Sequence, residues 1–215
     1  MYDVCKSYNS ALNSHMIKND EWGAVAYLSK SKYGKQNEEV WINNSSSYIT
    51  GSAGNSASAE TDVGTTNDYT SIQGVKASTT GTVYGVYDMS GGAWDYVAGY
   101  VDNGHGNLIS YGSSLVNGDV KTKNVYSKAS TDNNTNNYNA NSSKYGDAVY
   151  ETSANGNTSN GSWYGDYSNF PYTDLPFFNR GGYYSRSTGA GMFCFYYDGG
   201  NSGSRRSFRP VLVAL

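Results

Sequence analysis

The chain has 215 residues and a formal charge of −3, with 26 Gly, 22 Tyr and only 3 Pro. That length admits one large domain or two small ones, and the wealth of tyrosine argues against a low-complexity linker, which lacks large apolar rings. The slightly acidic balance gives no reason to expect a nucleic-acid partner, whose footprint is a clustered excess of Lys and Arg, and no apolar run approaches the roughly 18–20 residues of a membrane span, so direct membrane insertion is not expected. Met1 is followed at once by Tyr2, Asp3 and Cys5 and not by a charged-then-apolar leader. An export signal is therefore expected to have been removed, to lie elsewhere in the gene product, or never to have existed. Cys5 and Cys194 are the only cysteines, which leaves redox compartment and disulfide pairing open.

In chain order, Ala11-Leu12 and Met16-Ile17 have helical spacing and Glu21 to Leu28 is a compact apolar run, so a helix is predicted around 7–31 with Gly34 as its stop. Residues 40–82 are dominated by Ser, Thr, Asn, Gly and Ala and predict an irregular loop that buries little. Residues 82–100 alternate apolar and polar and predict strand, turn, strand. A second irregular stretch is expected over 119–162, where Asn133-Asn134-Thr135-Asn136-Asn137 sits among scattered tyrosines. Ser207 to Leu215 predicts an apolar final strand. Regular structure is expected to be sparse and loops long.

The charged residues are unevenly placed. All five arginines (Arg180, Arg186, Arg205, Arg206 and Arg209) fall within 180–209, and all ten lysines lie at or before Lys144. Against one acid, Asp198, the five arginines give that segment a charge of +4, so the remaining chain carries −7 within the total of −3. The segment has no Lys, Gln, Glu or Trp; Tyr, Ser, Gly, Arg, Asn and Asp crowd together in 183–187 and 196–206. This is the chemistry of a binding surface. Tyr offers large contact area with few rotatable bonds, Ser, Gly and Asn adapt their hydrogen bonding, and Arg anchors. A Gly/Ser/Tyr loop of no special role has the same composition.

Three stretches frame this segment: Gly85-Val86-Tyr87-Asp88-Met89-Ser90-Gly91-Gly92-Ala93-Trp94-Asp95-Tyr96, then Phe178-Asn179-Arg180-Gly181-Gly182, then Ser207-Phe208-Arg209-Pro210-Val211. Together, over roughly the last 130 residues, they resemble the formylglycine-generating-enzyme-like (sulfatase-modifying factor) branch of the C-type lectin fold. The chain is similar, more narrowly, to the variable proteins of diversity-generating retroelements. The resemblance implies an α+β, C-type-lectin-like domain over 1–215, with 180–209 as the variable ligand-binding segment. It also implies adenine-directed mutagenesis, by which Asn codons of the AAC type yield Tyr, Ser, Gly, Arg, Asp, Thr and His but never Lys, Gln, Glu, Met or Trp. On that basis Tyr183, Ser185, Arg186, Gly189, Tyr196, Tyr197, Asp198, Gly199, Gly203, Ser204, Arg205 and Arg206 are the candidate diversified positions, and Met192, Phe193 and Phe195 belong to the fixed frame.

The expected function is ligand-binding display, as an adhesin or receptor-binding protein that engages a protein or other macromolecule on a target cell, virus or matrix. The expected location is extracellular, cell-surface or virion-associated. The alternatives are a formylglycine-generating-enzyme-like oxidase and a conventional glycan-binding lectin on the same fold. The related enzymes use two neighbouring cysteines near the C-terminus where this chain has only Cys194, and Gly92 stands where the family has Asn. A calcium-dependent lectin needs an acidic, Asn-rich ligand cluster, and 183–206 has one Asp and one Asn. No cofactor or metal is expected, and His15 and His105 stand in no catalytic motif. Asp88 and Asp95 as paired catalytic carboxylates are weighed against a turn-capping role for Asp88, which is favoured. Trp22, Trp94 and Tyr96 read as core aromatics, Gly181-Gly182 as a tight turn, and Arg180 and Arg209 as scaffold residues in an internal ion pair.

Overall fold

The computed structural model describes residues 1–57 and 66–213. Helix α1 (Tyr2–Tyr8) leads through a 3₁₀ turn into the short strand β1 (His15–Met16) and then α2 (Asn19–Ser29). After a long irregular stretch come β2 (Trp94–Asp102), α3 (Gly106–Ser110), α4 (Ser113–Val116), β3 (Asn124–Ser127) and α5 (Asn134–Ala140). The chain ends in β4 (Asn157–Thr158), β5 (Ser168–Asn169), β6 (Phe177–Gly181), β7 (Gly191–Asp198), β8 (Arg206–Phe208) and β9 (Pro210–Val211). The architecture is mixed α+β, with few and short helices. One sheet runs β3-β2-β6-β7-β5-β4, with β8 also pairing β2, while β1 and β9 form a separate two-stranded ribbon.

Strand β2 is the centre of the sheet. Tyr96, Ala98 and Tyr100 enter one apolar cluster with Tyr2, Cys5, Met16 and Phe177; Val97 and Val101 enter the other with Trp22, Phe178, Phe193 and Phe195. Successive side chains of a strand point to opposite faces, so a strand buried on both sides needs apolar residues without interruption. Its edge opposite β6 is shared by two parallel partners: β8 pairs Trp94–Tyr96, and β3 pairs Gly99–Asp102. Across β6, Arg180 pairs with Phe195 of β7, and a register shift follows before Gly181.

The predicted helix over 7–31 is broken in two. Asn9 is extended (φ −153°), its side chain accepts from Leu12 N–H at 3.3 Å, and Asn13 is left-handed (φ 47°). Asn and Ser side chains thus supply local bonds that compete with helix continuation. Glu21 accepts from Lys18 N–H at 2.9 Å and starts α2 afresh. The helix ends at Ser29, and Gly34 lies beyond it in the returning turn, where Ser29 O accepts from Lys35 and Gln36. The first half of the predicted strand-turn-strand over 82–100 is absent, because Asp88, Gly91 and Gly92 have φ of 60°, 79° and 72°, outside strand geometry. Gly181 ends β6 and Gly182 follows it outside the strand; both have positive φ, 81° and 78°, but the turn comes later, at 184–185, and not at the glycine pair as expected. The stretch over 40–82 is irregular where it is described, apart from a 3₁₀ turn at Gly74–Ala77, yet it buries Val40, Ile42 and Ala53; part of it, 58–65, lies outside the described residues. The final apolar strand is two short pieces, β8 and β9, and 214–215 lie outside the described residues.

The stretch over 119–162 departs furthest from expectation, since it supplies β3 and α5. Asn133 caps α5 by accepting from Asn136 N–H at 2.9 Å. Asn137 and Asn141 are buried; Asn141 accepts from Ser127 N–H and donates to Ser127 O, both at 2.9 Å, and Asn137 donates to Pro171 O at 3.0 Å. An amide both donates and accepts, so a run of asparagines can knit coil to sheet while looking like a loop by composition.

Arg180 is wholly buried and closes a polar circuit through the core. Its guanidinium donates to Asn19 Oδ1 at 3.2 Å, Asn19 donates to the Tyr126 hydroxyl at 3.0 Å, and Tyr126 donates to Asp147 Oδ2 at 2.6 Å. The circuit returns through Asp147 O, which accepts from Arg180 at 3.0 Å, with Ala148 O at 3.2 Å beside it. Burial pushes the Asp147 carboxyl up, opposed by the Tyr126 hydrogen bond and the Arg180 charge. The expected scaffold role holds for Arg180, through hydrogen bonds and not through an ion pair. Arg180→Met keeps the apolar stem but leaves these acceptors without their donor inside the protein. It is expected to lower stability by about 3 kcal/mol or more, seen as a fall in the urea midpoint; an unchanged midpoint would contradict this role.

Candidate ligand-binding face

The segment that sequence composition singles out is carried by a strand whose first five residues are buried. Met192, Phe193, Cys194 and Phe195 of β7 are all buried, and the chain then emerges through half-buried Tyr196 and Tyr197. Asp198 turns inward again. It accepts from the Tyr96 hydroxyl, from Asn179 Nδ2 at 3.2 Å, from Gly200 N–H at 2.9 Å and from Arg206 Nε at 2.8 Å. Burial, then the Asp198 hydrogen bond and charge, hold the Tyr96 hydroxyl far above its ordinary range. Between this clamp and β8, residues 201–205 are exposed.

Of the twelve candidate positions, Ser185, Gly203, Ser204 and Arg205 are exposed. Tyr183, Arg186, Tyr196, Tyr197, Gly199 and Arg206 are half-buried. Gly189 and Asp198 are buried, and at these two the expectation of a surface free to vary meets a physical obstacle. A Cβ on Gly189 would collide with the Tyr167 ring. Any replacement of Asp198 breaks up four donors gathered on one carboxylate.

The face is organised by aromatic rings around arginines. Trp94 stacks on Tyr196 with centroids 5.2 Å apart, and Tyr196 lies 4.3 Å from Tyr197. The Arg186 guanidinium carbon is 4.7 Å from the Tyr167 ring centre, 5.3 Å from Tyr183, 5.4 Å from Tyr196 and 5.9 Å from Trp94, and Arg186 donates to the Tyr167 hydroxyl at 3.1 Å. Arg205 lies 4.9 Å from the Tyr183 ring centre. A guanidinium over a ring face is attracted by the ring quadrupole, by about 0.5–2 kcal/mol per favourable contact. Two hollows open on this surface. One of about 420 Å³ is lined by Trp94, Tyr183, Arg186, Tyr196, Arg205 and Arg206. The other, of about 380 Å³, is lined by Tyr111, Leu175, Tyr196, Tyr197 and Gly199, with Arg206 between the two.

Several contributors lie outside the twelve. Tyr184, beside Tyr183 and of the same type, meets Tyr48 edge-to-face at 5.4 Å; its residue type alone could have flagged it. Tyr167 and Tyr48 come from distant loops, and no local pattern marks them. Trp94, expected in the core, is indeed only 7% exposed, yet its ring is the floor of the larger hollow.

The residues weighed for other chemistry have structural partners. Asp88 accepts from Asn43 Nδ2 at 2.9 Å and from Gly51 N–H at 3.2 Å, so it ties its loop to a distant one and does not cap its own turn as expected, and burial pushes its carboxyl up. Asp95 is ion-paired with Arg209, which also donates to Tyr87 O at 3.1 Å and Asp88 O at 2.9 Å, so the internal ion pair expected of Arg209 is present. Cys5 and Cys194 are both free and buried; burial raises the Cys5 thiol to about 11 and the Cys194 thiol well above its ordinary value. His15 lies 2.7 Å from Glu21, and His105 accepts from Asn107 N–H at the start of α3. Among the described residues no three His, Cys, Asp or Glu side chains gather as a metal site, and no helix is long and apolar enough to cross a membrane. No family model matches the chain, and no curated protein matches it.

Asp198→Ala is expected to cost about 2–4 kcal/mol, since it leaves Arg206 without its carboxylate and the Tyr96 hydroxyl with only Asn201 O, at 3.2 Å, to accept from it. Ser204→Tyr, on the exposed turn, is expected to stay within about 0.5 kcal/mol of wild type. Equal thermal midpoints for the two variants would remove the distinction between clamp and free surface.

Proposed function

We propose that this chain is a ligand-binding display domain whose C-terminal face is diversified by a retroelement, built on the C-type-lectin-like fold of the formylglycine-generating-enzyme-like branch. It acts as an adhesin or receptor-binding protein outside the cell or on a virion, with a protein or other macromolecule as its partner. The observation that carries the proposal is the placement of the candidate positions. Ten of the twelve are exposed or half-exposed, nine of these, all but Ser185, line two adjoining hollows, and the strands beneath them are buried. A surface of large rings and arginines on a rigid support fits adaptable recognition, where the support fixes the backbone and the side chains set specificity.

A non-catalytic role is supported by the state of the groups that would otherwise do chemistry. Cys194 is wholly buried with its thiol proton held tightly, whereas a reactive thiol needs exposure and thiolate character. Asp88 and Asp95 are committed to Asn43, Gly51, Ser207 and Arg209.

The test is a library in which the ten accessible positions are randomised with codons that end in C. Most members are expected to fold, with melting midpoints within about 10 °C of the parent, while selected members bind different macromolecular targets. A second library that also randomises Gly189 and Asp198 is expected to be mostly unfolded. General collapse of the first library would overturn the reading, as would a gene with no template copy nearby and no bias toward codons ending in C at these positions.

A further inference from the structure

We infer that the partner recognised by this particular face is a protein that presents an acidic side chain beside a large apolar one, the carboxylate entering the hollow between Arg186 and Arg205. The inference rests on reading this face as the ligand-binding surface, and it follows from how the arginine charges are compensated. Arg206 is neutralised by Asp198 at 2.5 Å. Arg186 and Arg205 have no carboxylate within 4.0 Å among the described residues. They are held by rings instead, and both guanidinium carbons lie within 5.3 Å of the Tyr183 ring centre. Ring faces position a cation but do not cancel its charge.

Stacking leaves the N–H edge of a guanidinium free to donate, and a carboxylate matches that edge in two parallel bonds. Arg186 Nε is moreover a buried donor with no acceptor, a state that costs free energy until something accepts from it. Trp94, Tyr183 and Tyr196 contribute apolar rings to the lining of the hollow, and an ion pair formed against such rings is less screened than one in open water. Arg180 is buried and Arg206 and Arg209 are ion-paired, so Arg186 and Arg205 are the uncompensated cations of the segment on a chain of net charge −3, and an acidic partner is steered to this face.

The neighbouring hollow decides the class of partner. Tyr111, Leu175, Tyr196 and Tyr197 give it an apolar side that suits a large apolar side chain, beside the polar Asn107, Asp174 and Asp198. An acidic polysaccharide would need a row of cations spaced along its length, and here two uncompensated ones flank a single tyrosine.

The experiment is selection of a random peptide library on the intact protein, followed by titration of the winners in solution at several salt concentrations. Expected winners are enriched in Asp or Glu next to Leu or an aromatic residue. Their Kd should rise about tenfold or more in Arg205→Ala and in Arg186→Ala, and should weaken as salt is raised. Arg205 is exposed, so its variant should stay folded and lose in stability little beyond the ring contact with Tyr183, and it reports chiefly on binding. Winners without acidic enrichment, or no winners at all, overturn the inference. Heparin binding that depends on both arginines, with no acidic peptide selected, overturns the choice of a protein partner. If non-acidic winners lose affinity in Tyr197→Ala, the face is the binding surface and only the acidic partner is wrong. If winners of any kind ignore every substitution on the face, the binding-face reading fails with it.

Discussion

The closure of the last turn against strand β2 is the constraint on which the rest of this structure depends. After Asp198 the chain leaves the sheet, and at Arg206 it returns to lie parallel to Trp94–Tyr96. One end of the excursion is fixed by the donors converging on Asp198, the other by backbone pairing and by the Asp95 contacts with Ser207 and Arg209. A loop held at both ends loses most of its freedom before any ligand arrives, so the ordering cost of binding falls. The same closure sets the shape of the face, since Trp94 on β2 and Tyr196 on β7 come within stacking distance only when β6 lies between those strands.

The gathering of Tyr and Arg at one surface was legible from the sequence because it is a matter of composition. Arginine without lysine, and tyrosine without tryptophan, are biases that survive without knowledge of the fold. The frame was partly legible for the same reason, and Trp22, Trp94 and Tyr96 are buried as their apolar context suggested. Individual roles within the segment were not legible. Asp198 and Gly189 belong to the same adaptable residue types as their exposed neighbours. What distinguishes them is a hydroxyl 102 positions away in the first case and the ring of Tyr167 in the second.

Asparagine accounts for two of the misread elements, in opposite senses. Asn9 and Asn13 break a helix that apolar spacing predicts to continue, whereas in a stretch whose composition predicts loop, Asn133 starts a helix and Asn137 and Asn141 fasten it to its surroundings. The first two effects are local and follow from side-chain competition for backbone bonds. The last is tertiary: a buried amide is tolerated because every donor and acceptor finds a partner, and those partners, such as Pro171 O and Ser127, come from other turns of the chain. A hydropathy pattern cannot register an interior that is held by amides.

The variation proposed for this face is in tension with a fold that must persist. Tyr196 stacks on Trp94, and losing such a ring pair removes about 0.5–1.5 kcal/mol beyond the area it buries; several such losses together would approach the total stability of an ordinary domain, about 5–15 kcal/mol. The structure meets this by keeping its largest interactions off the face. The Arg180 circuit and the two apolar clusters lie behind it, and the β8 closure is duplicated. If Arg206 is replaced, Asp198 keeps the Tyr96 hydroxyl, Asn179 and Gly200 N–H as donors, and the return strand keeps its pairing with β2 and the Arg209–Asp95 contact. Arg206 can therefore vary where Asp198 cannot, although the two form one ion pair. The asymmetry comes from the number of partners each side chain has inside the frame.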